Sequence, residues 1–246
     1  MRLSNSYQET RHIITAILIL TVIFAFNDNS QKLNPENYAT NLIIVLVLVM
    51  LSMFAHLFIL KLISSRYGIT TEFRLWAFEE LINIQPVKLK KYRKGFRFIY
   101  SGSLFALLLT FISNGKAYFT AIFTFIIEKT KTIGRDFPNI KEYEIATIAF
   151  LVIFSHFILL LVFKALNIRL GVLINTWIII WNLLPISSLL GSKIFFGSRT
   201  LYIFTLGFAI ASLSIIGFLT AAQTLIISII FASLSAIIWF WQLEYK

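Results

Sequence analysis

Cysteine is absent from the 246 residues. That excludes a disulfide framework and any thiolate metal site, and it leaves the redox compartment unread. Charge is scarce as well. Asp, Glu, Lys and Arg make up 13% of the chain, about half of what soluble domains carry. No Asp or Glu falls within any of the long apolar runs. The first of these runs lacks a small-residue cleavage pattern behind it. The polar turn Asn27-Asp28-Asn29-Ser30 follows instead, so the run reads as a retained span and not as a signal peptide. No internal repeat is evident.

What is present is apolar. The chain is 58% hydrophobic, with a mean hydropathy of +0.83. A soluble domain of this length has no interior large enough for so much apolar surface, so lipid must be its main solvent. The net charge of +11 then marks cytoplasmic loops, with membrane lipids as the surroundings and no nucleic acid as a partner. The apolar runs are Ile13–Phe26, Thr40–Ile63, Phe98–Ser113, Ala117–Ile127, Ile145–Leu166, Leu170–Leu184, Leu201–Leu219 and Thr224–Trp241. A helix needs roughly 20 residues to cross a bilayer core. The second, fifth, seventh and eighth runs meet that length, and the first and sixth reach it with their flanks. Phe98–Ser113 and Ala117–Ile127 are either one interrupted helix or two short arms of a hairpin. The turn signal Asn114-Gly115 favours the arms. The expected fold class is all-α: a polytopic transmembrane bundle of about six full spans plus a short helical hairpin. Residues 1–246 form one integral membrane domain.

Loop charge sets the orientation. The segment 64–97 holds Arg66, Arg74, Lys88, Lys90, Lys91, Arg93, Lys94 and Arg97 and is expected in the cytoplasm. A returning hairpin brings Lys129, Lys131, Arg135 and Lys141 to the same side, followed by Lys193 and Arg199. A single crossing would place them outside. Both chain ends are then cytoplasmic. Within 64–97, Thr71–Ile84 sets Phe73, Leu75, Trp76, Phe78, Leu81 and Ile82 among Arg74, Glu79 and Glu80. That spacing partly fits an amphipathic interfacial helix. The cations Lys88, Lys90, Lys91, Arg93, Lys94 and Arg97 are a candidate surface for docking lipid or a partner. The plainer reading is that they mark topology.

Polar groups at membrane depth are the candidates for chemistry. His56, in His56-Leu57-Phe58-Ile59-Leu60, and His156, in Ser155-His156-Phe157, are the histidines inside runs. If their spans pack together the two could pair. A metal site would need a carboxylate that the runs lack. The plainer reading is a helix–helix hydrogen bond, worth about 0.6 kcal/mol. Asn182 and Pro185 end the sixth run. Proline stops or kinks a helix, and the freed carbonyls need partners within protein. The break is therefore expected to be buried, with the Asn182 amide as partner. Ser187, Ser188 and Gly191 permit a tight turn or close backbone approach.

These two places together resemble the site-2 protease family of intramembrane zinc metalloproteases, most closely its archaeal multi-span form. His56 to Leu60, with Arg66-Tyr67-Gly68 and Glu72-Phe73-Arg74-Leu75-Trp76 beyond it, resembles the family's zinc helix and its sequel. Asn182-Leu183-Leu184-Pro185-Ile186-Ser187-Ser188-Leu189-Leu190-Gly191 resembles the Asn-x-x-Pro-x-x-x-x-Asp-Gly run. The likeness covers residues 40–200. It implies a site-2-protease-like core with both motifs meeting near the cytoplasmic side. His56 matches the first zinc histidine, and Asn182, Pro185 and Gly191 match framework positions. Leu57 stands for the general base, Leu60 for the second histidine and Leu190 for the metal-binding aspartate. The resemblance therefore implies a pseudoenzyme: no catalytic residues, no metal and no cofactor. Its expected role is that of a structural or regulatory subunit binding other membrane proteins. A transporter or lipid-handling protein, and an enzyme with altered metal chemistry at His56 and His156, are the alternatives.

Overall fold

A computed structural model describes residues 7–26, 35–76, 101–128, 140–186 and 188–244. The described residues are mostly helical, at 78%. The elements, in chain order, are helices α1 (Tyr7–Ala25) and α2 (Pro35–Arg66), strand β1 (Thr70–Leu75), helix α3 (Ser101–Ile112) and strand β2 (Phe123–Glu128). Helices α4 (Glu142–Ala165), α5 (Arg169–Leu183), α6 (Leu190–Gly197), α7 (Arg199–Ile215) and α8 (Ala221–Trp239) follow, and α8 ends in a π-helical turn, Phe240–Glu244.

Among the described residues, four helices are long and apolar enough to cross a membrane: α1, α2, α4 and α8, the last counted through Gln242. Helices α3, α5 and α7 are apolar but shorter. The seventh run, expected to reach full span length, yields a helix of 17 residues. It stops at Ile215, ahead of a turn at Ile216–Leu219. Many outward-facing side chains are large and apolar. On α8, Ile226, Ile230, Leu234, Ile237 and Trp241 are all exposed, as lipid-facing side chains would be.

The all-α expectation needs correction. Strands β1 and β2 pair antiparallel in the register Thr70↔Glu128 to Leu75↔Phe123. The hairpin of two helical arms is half right in shape and wrong in its second arm. The chain turns at Asn114 and Gly115, whose φ angles are 51° and 72°, and comes back extended. Ala117–Ile127 is crowded with aromatic and β-branched residues, which suit a pleated surface better than a helix. Both ends of the segment meet the sheet: Gly102 packs on Trp76, and Phe123 pairs with Leu75. Thr71–Leu75 is likewise strand, not the first turns of an interfacial helix. Trp76 follows without helical structure, and 77–84 lie outside the described residues.

The buried core has two lobes. One joins α1, α2, the sheet and α5 around Leu20, Val49, Phe73, Phe123 and Ile178. The other joins α2, α4, α5, α6 and α7 around Leu60, Val152, Phe157, Leu190 and Phe208. Between them runs a line of polar side chains.

Candidate functional site

On α2, Ser52, His56 and Leu60 recur every four residues and so share one face. All three are fully buried. That face meets α4 and α5. His56 Nδ1 lies 3.1 Å from His156 Nε2. His156 Nδ1 lies 2.9 Å from Asn175 Oδ1. Asn175 Nδ2 donates to Ser52 Oγ at 3.1 Å and to Gly171 O at 2.9 Å. Ser52 Oγ donates to Leu48 O at 3.0 Å. The chain Ser52–Asn175–His156–His56 thus ties α2, α4 and α5 at their middle.

The partners fix the proton positions. Asn175 uses its amide protons on Gly171 and Ser52, so its oxygen accepts from His156 Nδ1–H. Neutral His156 then offers Nε2 as an acceptor, and His56 donates from Nδ1. His56 Nε2 is left as a lone pair. It is buried and has no hydrogen-bond partner among the described residues. The sheet lies over it: His56 stands edge-on to Phe123 at 4.9 Å and to Phe73 at 5.9 Å. The two phenylalanines stack on each other across the strands at 5.6 Å.

Of the positions matched to the protease motifs, Leu60 and Leu190 fall in one apolar cluster. Leu60 and Leu190 are both fully buried and belong to one lobe of the core with Ile179 and Leu183. Leu57 is half-buried against the other lobe. None of these side chains carries a metal donor or a base, so the donor set does not fit the family's zinc. Among the described residues, no group of three or more His, Cys, Asp or Glu side chains is placed to hold a metal ion.

The framework positions behave differently from one another. A Cβ on Gly191 would lie 2.1 Å from Leu183 O and 2.4 Å from its carbonyl carbon. Backbone cannot yield that far, so only glycine lets α6 begin against the end of α5. Ser188, with φ 64°, makes the turn before it. Asn182 is buried, but its amide donates to Ile178 O, inside its own helix. The carbonyl near the break that gains an outside partner is Leu183 O, which accepts from Tyr202 at 3.2 Å. The break itself is not buried: Leu184 is 36% exposed and Pro185 is exposed. The expectation of a buried break served by Asn182 is therefore corrected.

One buried ion pair escaped the sequence reading. Helix α1 begins six residues before its apolar run and includes Glu9. Glu9 is fully buried, pairs with Lys61 at 2.6 Å and accepts from Phe73 N at 2.8 Å. Lys61 also donates to Thr71 O. A carboxylate thus does lie within a span, where it covers the outer edge of β1. Its position before the apolar run hid it. Asn175 and Ser52 were missed as well, although a polar residue four positions from His56 and an amide inside the sixth run were visible signals. The basic run Lys88, Lys90, Lys91, Arg93, Lys94 and Arg97 lies outside the described residues, and so does Ser187.

Compared with known proteins, the chain matches no family model, no curated protein and no solved structure.

Proposed function

We propose that this chain is a non-catalytic integral membrane protein built on a site-2-protease-like core, with about six crossings, that serves as a structural or regulatory subunit. It holds transmembrane segments of other membrane proteins and performs no proteolysis. The observation that carries this reading is the burial of Leu60 and Leu190 in one apolar cluster, at the two positions where the family's motif would carry metal ligands. His56, the matched ligand that remains, hydrogen-bonds to His156. Replacing ligands by leucine removes the chemistry while keeping the helices together. Selection for a scaffold explains that pattern.

Orientation follows from the loop charges, with both chain ends and the sheet on the cytoplasmic side. The relative helix directions support one common side for the start of α1, the sheet and the end of α8, because α1 enters beside β1 through Glu9 and Phe73, and α7 and α8 form an antiparallel pair that returns to the same end. The test is gentle solubilisation from the native membrane, with mass spectrometry of what co-migrates and cross-linking in place. A fixed set of partners in constant ratio is expected. A lone particle without cross-links sinks the subunit reading. Stoichiometric zinc lost on His56→Ala would overturn the non-catalytic one.

A further inference from the structure

We draw no further inference here: the strongest candidate, the buried lone pair of His56 Nε2 beneath Phe73 and Phe123 of the sheet, belongs to the side-chain network already described, and nothing among the described residues points to what would bind there.

Discussion

His156 carries more of the interior than its neighbours, because both of its ring nitrogens are used. His156→Leu strands the His56 donor and the Asn175 oxygen together. We expect it to cost about 1–3 kcal/mol, the penalty for buried polar groups left unmet. Replacing both histidines with leucine should cost less than the sum of the single changes, by at least about 0.6 kcal/mol. Denaturant titration of the protein in mixed micelles measures both, and strict additivity would refute the linked network. Gly191 is a sharper case. Gly191→Ala drives a methyl group into the Leu183 carbonyl, and because that neighbour is backbone we expect a loss of about 3 kcal/mol or more. Gly68, whose added Cβ would meet nothing within 4 Å although its φ is 68°, serves as the comparison. Its alanine variant should lose less, through backbone strain alone.

Among the elements, α1 is held by charge as well as by packing. Glu9 joins it to α2 through Lys61 and to β1 through Phe73 N. Breaking a buried pair from one side is worse than removing it whole, since the survivor is left desolvated. Glu9→Ala should therefore destabilise by about 3 kcal/mol, and Glu9→Leu with Lys61→Leu should recover most of that loss. Equal melting temperatures for Glu9→Ala and the double variant would contradict this account. The sheet was legible in part. Thr71 to Leu75 alternates apolar and charged residues, which is the strand period. Reading Thr71–Ile84 as one amphipathic helix averaged that alternation into a longer window. The partner strand lies some fifty residues away in sequence, so no local pattern announces the pairing. Helices α2 and α4 were easy by contrast, because a long uninterrupted apolar run has few other stable forms in lipid.

For the whole molecule, the lack of cysteine makes the chain a clean background for topology mapping. Single cysteines at Lys90 and Lys246 should react with a membrane-impermeant maleimide only when the cytoplasmic face is open, while a cysteine at Lys116, in the turn region beyond α3, should stay unreactive from that face. Labelling of Lys90→Cys from outside intact cells would invert the proposed orientation. The scaffold reading makes a separate demand on the assembly. His56→Leu should leave the set of co-purifying partners unchanged, provided the variant remains folded, because no step of chemistry depends on that ring.

Composition alone pointed to lipid as the main solvent, and four of the described helices are long and apolar enough to cross a membrane. The sequence also marked His56 and His156 as interior polar groups and left Gly191 open to either a tight turn or a close approach. What only the tertiary structure decided is who meets whom. It paired the histidines directly, tied His156 to Asn175, laid β1 and β2 over His56, and moved Glu9 inside. It also brought Leu60 and Leu190 into one apolar core. Those outcomes depend on contacts between residues far apart in the chain, and such contacts leave no periodicity for a sequence to display.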